Sequence, residues 1–383
     1  MKKIYIIFFV IYFSFQLNSK EYENLKTWII NSNGFISSKI DIMENNKINR
    51  YLIANSKIPK NEIIIRIENQ NILSYIHPKI LSICQNKIND ENDDDNYDFN
   101  CLLYFLCTDM KNESSYFKPF YNYLPEIDYP NVPLFYNQSQ LEKLNVLPEL
   151  QATIQIMNNM IKNSYDNKFK EINFFDFKKM YYFLSSRNFE IKNDFLSTIS
   201  CIVPYLELVN HKYNNNALYY FDENNYNFIL YSSRDIFPNE EITISYGEKN
   251  NIEFFTFYGF TIKDNKRKFN INLKIKNFDI FLNGRIYKDF MIYLINELKL
   301  IFKLNRIEAI KLIKKELELK NKKLEKSLND FNKNINLKNI IYDEIFIIDG
   351  YLKIIQNLRK IKKKDSKEYF MLKKYYSYLT FNL

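Results

Sequence analysis

Three words that this composition makes rare stand in order between Val203 and Phe260. The first is Leu206-Glu207-Leu208-Val209-Asn210-His211. The second runs Ile236-Phe237-Pro238-Asn239-Glu240-Glu241-Ile242-Thr243-Ile244-Ser245-Tyr246-Gly247. The third is Asn250-Asn251-Ile252-Glu253, leading into Phe257-Tyr258-Gly259-Phe260. The whole chain has 2 His and 5 Gly, and His211, Gly247 and Gly259 all fall here. Residues that scarce do not gather in one stretch by drift. Short apolar runs separated by turn residues carry them, which predicts brief strands rather than one long helix.

The rest of the chain sets this segment in a larger frame. Its 383 residues exceed a usual single domain, and 46% hydrophobic residues suffice for a sizeable core. Residues 25–110 begin as β-rich runs; Ile63-Ile64-Ile65-Arg66-Ile67 reads as a strand entered through Pro59-Lys60-Asn61-Glu62. Residues 111–195 read as a helical insertion, broken by the Pro-bearing stretch Tyr123 to Pro133. Residues 196–262 return to strands, with a hairpin predicted where Tyr219-Tyr220-Phe221 and Phe228-Ile229-Leu230-Tyr231 flank Asp222 to Asn225. From 285 to 383 the pattern is helical, as the spacing of Phe290, Tyr293, Leu294, Leu298 and Ile301 predicts. The Lys/Glu run from Lys314 to Lys333 reads as a solvated helix face. A β-rich unit interrupted by an insertion lets residues distant in sequence build one site.

Composition excludes several classes. The net charge of +9 accompanies a general excess of Lys, Asn, Ile and Tyr, as an AT-rich coding sequence would give. No basic stripe joins a nucleic-acid-reading motif, so no nucleic-acid partner is expected. Cys84, Cys101, Cys107 and Cys201 fit no metal spacing and read as buried or free thiols. No metal is expected, and Asp93-Asp94-Asp95 reads as a solvated loop. Lys2 and Lys3 precede an apolar run, Ile4 to Phe13, that is shorter than the roughly 20 residues of a spanning helix. Residues 1–19 therefore read as a signal peptide or signal anchor, the ordinary alternative being a buried strand or helix. Membrane contact is expected only through that segment. It points to the secretory pathway or a plastid-type organelle, with a cytoplasmic or nuclear place as the alternative. The sequons at Asn112 and Asn137 are expected by chance in so Asn-rich a chain.

With these words in place, the chain resembles the SET-domain methyltransferases, in the version with a helical insertion and a helical C-terminal lobe: the Rubisco large-subunit methyltransferase type. Asn210-His211, Ile244-Ser245-Tyr246-Gly247 and Asn251 to Tyr258-Gly259-Phe260 carry the likeness. Upstream, Ser185-Ser186-Arg187-Asn188-Phe189 resembles the family's Ser-Arg-x-Phe word. Asn49-Arg50-Tyr51-Leu52-Ile53-Ala54 followed by Ile58-Pro59-Lys60-Asn61-Glu62 resembles its Gly-x-Gly-Leu-x-Ala and Ile-x-x-Gly-Glu region. The resemblance implies an α+β fold: a β-rich SET domain of short strands with a helical insertion, then an all-helical C-terminal domain.

It also implies a chemistry, protein-lysine N-methylation from S-adenosyl-L-methionine. The acceptor nitrogen must be neutral, aligned and partly stripped of water, and a Lys ammonium starts near a pKa of about 10.4. Aromatic walls supply a low-dielectric channel and attract cationic groups. By the resemblance Tyr246 is catalytic and touches the cofactor. Arg50, Leu52, Arg187, Asn210 and His211 hold the cofactor, and Asn188, Tyr258 and Phe260 line the substrate channel. The partner is a protein bearing the target Lys, or a His in a variant of the same class. A basic enzyme matches basic histone tails poorly, so a non-histone target is expected, and the chain is read as a monomer.

Taken singly, each residue has an ordinary reading. Tyr246 is one of 31 Tyr, and Arg187 alone would be a surface charge. The order of the whole set decides otherwise. Three departures stand against it. Asn49 and Tyr51 occupy the Gly positions of Gly-x-Gly, Glu207 stands where Asp is usual, and Asn239 replaces a turn Gly. A catalytically inert SET scaffold, acting as a protein-binding module, is therefore the alternative.

Overall fold

Asparagine, so abundant here, starts five of the described helices, Asn334 before the last of them accepting from Leu337 N–H. Asn137, Asn250 and Asn305 each accept from the backbone three residues on, while Gln140, Glu253 and Glu308 reach back to close capping boxes. Asn173 accepts from the N–H groups of Phe175 and Asp176. The computed structural model describes residues 15–16, 20–46, 49–87, 97–124, 129–192, 198–275, 278–282, 284, 288–331 and 334–358. Of the signal-like residues 1–19, residues 1–14 and 17–19 lie outside them, as does the acidic Asp93-Asp94-Asp95.

In chain order the elements are β1 (Phe15–Gln16), α1 (Lys20–Asn31), β2 (Phe35–Ile36), β3 (Ile40–Asn46), β4 (Asn49–Ala54), β5 (Ile63–Glu68) and β6 (Leu73–Ser74). Helices α2 (Pro78–Lys87), α3 (Tyr97–Asp109), α4 (Lys118–Tyr121), α5 (Gln138–Lys143), α6 (Pro148–Lys168) and α7 (Phe174–Arg187) follow. Then come β7 (Phe189–Lys192), β8 (Thr198–Ile202), β9 (Asn210–His211), β10 (Ala217–Asp222), β11 (Asn227–Ser232) and β12 (Thr243–Ile244). The chain continues through α8 (Asn251–Tyr258), β13 (Ile271–Ile275), β14 (Phe278–Leu282), α9 (Lys288–Ile301), α10 (Arg306–Asp330) and α11 (Ile335–Leu358). This is the expected α+β architecture. Three elements differ from expectation. Tyr22, Leu25 and Ile29 are buried at helical spacing, so helix α1 occupies the start of the stretch read as β-rich. Asn251–Tyr258 forms helix α8 within residues 196–262, where short strands are expected. The β13–β14 hairpin precedes the helical region, pairing Ile271 with Leu282 through Ile275 with Phe278.

Two compact units divide the chain: Met1–Asp128 with Ile161–Gly247, and Tyr129–Met160 with Glu248–Leu383. The largest sheet of the first unit has the order β10-β11-β5-β2, all antiparallel. The hairpin expected around Asp222 to Asn225 is β10–β11. β11 lies between two partners, and Phe228 and Leu230 are fully buried in it. Smaller sheets β1-β3-β4 and β6-β8-β7 complete the β framework with the parallel pair β12-β9. α2 and α3 are joined by a Cys84–Cys101 disulfide, which corrects the free-thiol reading for that pair; Cys107 and Cys201 remain free. The second unit packs α9, α10, α11 and the β13–β14 hairpin around one core, with Phe290, Ile313, Leu317, Ile340, Ile348 and Tyr351 among its buried residues.

Candidate active site

The site starts from two short strands of the first unit. β9 and β12 run parallel, setting Asn210 beside Thr243 and His211 beside Ile244; Lys212 N–H then donates to the Ile244 carbonyl at 3.0 Å. Past β12 the chain reaches Tyr246 and turns at Gly247, whose φ of 90° suits glycine. Tyr246 is pinned at both ends by the strand it faces. Its backbone N–H donates to His211 Nδ1 at 2.9 Å, and its phenol O–H donates to the Val209 carbonyl at 2.8 Å. The His211 and Tyr246 rings lie 5.3 Å apart. Asn210, His211 and Tyr246, distant in sequence, thus meet in one place.

A second layer of bonds holds β9 in position. Asn210 Nδ2 donates to Glu241 Oε1 at 3.0 Å, and Lys212 Nζ lies 2.9 Å from Glu241 Oε2. Asn216 clamps the approach to β12: its Nδ2 donates to the Glu241 carbonyl and its Oδ1 accepts from Thr243 N–H, both at 2.8 Å. β4 closes this side. Leu52 is fully buried and its carbonyl accepts from Ile242 N–H at 2.9 Å. Tyr51, Ile53, Asn210, Lys212, Glu240 and Glu241 line a cleft of about 540 Å³, within the roughly 300–1,000 Å³ of small-molecule pockets.

The glycine substitutions resolve into two kinds. Asn61 and Asn239 both take left-handed φ angles, 66° and 67°, so Asn serves where the turn needs that conformation. β4 makes no such demand. Asn49 to Ala54 is a strand paired with β3, with Tyr51 opposite Met43 and no positive φ; the register shifts between Glu44 and Asn46, opposite Arg50 and Asn49. Tyr51 therefore carries no backbone strain, and its consequence is a phenol ring in the cleft.

On the other face of β4, Arg50 is held inward. Its guanidinium lies 4.7 Å from the Tyr123 ring, donates to the Tyr123 carbonyl and sits 3.8 Å from Glu44. Arg187 ends α7, bonded to Ser186 Oγ at 2.8 Å and 4.9 Å from the Phe183 ring. Asn188 follows at the start of β7. Its Nδ2 donates to Ser200 Oγ at 3.3 Å, and its buried Oδ1 accepts from no donor among the described residues. Burial pushes the Glu207 carboxyl up to about 7, against the Arg187 charge, the backbone N–H groups of Glu207 and Tyr205, and Arg50. Just before it Tyr205 is fully buried with a φ of 75°, a conformation a bulky residue rarely adopts, and its phenol lies 2.7 Å from that of Tyr22.

Tyr258 and Phe260 belong to the second unit, where α8 ends at the left-handed Gly259 and Phe260 stacks 5.1 Å from Phe254. Sequence reasoning passed over Lys212, Asn216 and Glu241, and took Tyr51 only as a lost glycine. Glu241 stood inside a singled-out word, whereas Asn216 was hidden in the run Asn214-Asn215-Asn216.

With this geometry in hand, known proteins can be compared. A SET-domain family model matches residues 49–247, just over half of the chain. The crystal structure of the SET domain of LSMT bound to methyllysine and AdoHcy covers 93% of this chain and 94% of its own, at 17% identity and a TM-score of 0.62. Rubisco LSMT bound to sinefungin and monomethyllysine covers 94% and 97%, at 16% identity and the same TM-score of 0.62. SET domain-containing protein 4 of Artemia parthenogenetica is 26% identical over 178 residues, 44% of this chain and 45% of that protein. The chain thus spans less than half the length of that relative.

Proposed function

The chain belongs to the SET-domain family, and from that premise we propose that it is an S-adenosylmethionine-dependent protein-lysine N-methyltransferase acting on a non-histone protein. The observation that carries this reading is Tyr246, fixed through its N–H to His211 and through its O–H to Val209. The LSMT structures that share the fold hold lysine or methyllysine together with AdoHcy, which supports the same chemistry.

The residues fit the cofactor. Asn210 offers its amide oxygen to an amino group because its Nδ2 is committed to Glu241. The Arg187 guanidinium is a planar fork suited to a carboxylate. When bound, S-adenosylmethionine supplies an electrophilic methyl group on a sulfonium. The protein's part is alignment and desolvation. The Tyr246 phenol spends its proton on the Val209 carbonyl, so toward the acceptor amine its oxygen acts as a hydrogen-bond acceptor. An amine held there presents its lone pair in a fixed direction. The buried Oδ1 of Asn188 is a second acceptor that can orient a Lys amine or, in the variant reading, an imidazole.

The inert-scaffold reading drew on the lost glycines of β4. The absence of positive φ from Asn49 to Tyr51 supports the enzyme reading, since no glycine conformation is demanded there. A signal segment at residues 1–19 also belongs to the proposal, and the Cys84–Cys101 disulfide supports an oxidising compartment. The decisive experiment is Tyr246→Phe. Methyl transfer to protein in a cell extract falls by about 100-fold or more, the scale of losing one preorganised polar group in an active site, while cofactor affinity by calorimetry stays within a few-fold. Undiminished transfer in that variant would overturn the assignment of Tyr246.

A further inference from the structure

Cations concentrate at one turn of the second unit, between α9 and α10. From Lys299 to Lys315 stand six of them, Lys299, Lys303, Arg306, Lys311, Lys314 and Lys315, against one acid, Glu308, in a chain whose whole balance is +9. The acid is spent: Glu308 accepts from the Asn305 N–H in the capping box that starts α10. Glu297 and Glu316 flank the stretch, both half-buried. Lys314 is paired with Glu318 at 3.0 Å, and the other five cations have no ion pair among the described residues. Apolar side chains come out at the same turn. Phe302 and Leu304 pack inward against the helical core. Leu304 N–H donates to the Lys299 carbonyl at 3.1 Å, closing the turn over Lys303 at a φ of 52°, where glycine is usual. So fixed, the turn leaves Leu300 and Ile301 exposed at the end of α9 and Ile307 exposed at the start of α10. Ile307, at 66%, is the most exposed large apolar side chain among the described residues, and Leu300 follows closely at 63%.

Three kinds of partner attract cations, and they use this turn unequally. A nucleic acid would pair with the charges and leave three aliphatic side chains in water. Protein interfaces favour aromatic rings and Arg and deplete Lys; the turn carries four unpaired Lys, one Arg and no exposed ring. A bilayer uses both features, since aliphatic groups enter the acyl boundary while Lys and Arg reach back to anionic headgroups. No helix among the described residues is long and apolar enough to cross a membrane, so such a contact lies on the surface. We infer that the α9–α10 turn is a peripheral docking site for a bilayer bearing anionic lipid. Leu300, Ile301 and Ile307 enter the boundary between headgroups and acyl chains, and Lys303, Arg306 and Lys311 face the lipid anions. Only residues 1–19 were expected to meet a membrane; the turn is a second contact, independent of methyl transfer.

The test is flotation of the full chain with vesicles of phosphatidylcholine mixed with phosphatidylserine and, separately, of phosphatidylcholine alone. Wild type should float with the mixed vesicles and far less with the neutral ones. Lys303→Gln with Lys311→Gln should weaken binding to the mixed vesicles by about 30-fold, the scale of two cations near an anionic surface. Leu300→Asn with Ile307→Asn should weaken it by about ten-fold or more. All four positions are exposed, so thermal melts should match wild type. Wild type that floats with neither vesicle overturns the inference, as does equal flotation with both. Undiminished binding in both double variants would place the contact elsewhere, at the apolar run of residues 4–13 for instance, and overturns it too. A loss confined to the Lys variant would show charge attraction without insertion, and the docking site falls. Binding to polyuridylate or polyglutamate without vesicle binding likewise overturns it, giving the cations to nucleic acid or to an acidic protein.

Discussion

Glu207 shows how burial alters a carboxyl. It lies three positions before Asn210, and burial holds its carboxyl at about 7 instead of the ordinary 4.5. Arg187 from α7 and Arg50 from β4 oppose that shift, and the buried phenol of Tyr123 stands close by. The sign follows from the raised value. In the folded state Glu207 keeps its proton to higher pH than in the unfolded chain. Its contribution to stability is full below 4.5 and is lost as pH rises through about 7. The slope in that window approaches about 1.4 kcal/mol per pH unit for one proton. Glu207→Gln should flatten that part of the stability profile and leave the protein more stable than wild type at pH 8. Urea denaturation at pH 5, 6, 7 and 8 measures it; an unchanged slope in the variant would show that Glu207 ionises freely. The same neighbourhood separates what residues announce from what they hide. That Asn210, His211 and Tyr246 meet was legible because all three stand in the rare words of one stretch. Arg50 was legible as a position but not as a contact, since nothing in the sequence puts Tyr123 and Glu44 around its guanidinium.

At the scale of elements, α2 and α3 are tied together by Cys84–Cys101 across a separation of 17 residues. A closed loop of that size stabilises by about 3 kcal/mol in the chain-entropy account. The effect reaches the site through bonds. Asp98, in the first turn of α3, accepts from Ser200 N–H on β8, and Ser200 Oγ accepts from Asn188 Nδ2. Reduction should lower the melting temperature and raise the KM for the protein substrate more than the cofactor dissociation constant. Melting curves and kinetics with and without a small dithiol give both numbers. Equal melting temperatures would mean the cross-link restrains nothing. This bond was illegible because cysteine spacing alone does not bring two thiols together; helices α2 and α3 do, as they pack on each other. By contrast, β5, the β10–β11 hairpin and the C-terminal helices were legible, since alternation and helical spacing record which face is buried. The β13–β14 hairpin was not. Its Ile271, Leu273 and Ile275 do alternate, but no turn word marks the reversal. Helix α1 was missed for a related reason: Tyr22, Leu25 and Ile29 follow directly on a leader-like run that drew the eye to signal rather than fold.

At the scale of the whole molecule, the second unit carries a buried ionic cluster as the first does. Lys320 on α10 lies 2.6 Å from Glu344 on α11 and 3.7 Å from Glu149 on α6, and it donates to the Asn272 carbonyl on β13 at 2.7 Å. The run from Lys314 to Lys333 was read as a solvated face. One of its lysines is instead the cation that lets two carboxylates exist among apolar helices. Burial lifts Glu344 to about 7, the nearby Glu149 charge adds to the rise, and Lys320 holds it down. Below the ordinary 4.5 the folded protein gains fully from the protonated acid, and that gain is gone once pH passes about 7. Lys320→Met removes the countercharge, so Glu344 must stay protonated or remain buried with an unmatched charge. Breaking a buried pair from one side costs about 3–5 kcal/mol. The loss should be near that figure at pH 8 and clearly smaller at pH 5.5, where the acid is already neutral. Replacing both partners, Lys320→Met with Glu344→Leu, should recover most of it at pH 8, because well-packed apolar side chains substitute for a buried ion pair with little change in stability. Calorimetric unfolding of wild type and both variants at the two pH values decides the matter. A Lys320→Met penalty independent of pH would show that the lysine matters for its packed stem and its bond to Asn272, not for its charge.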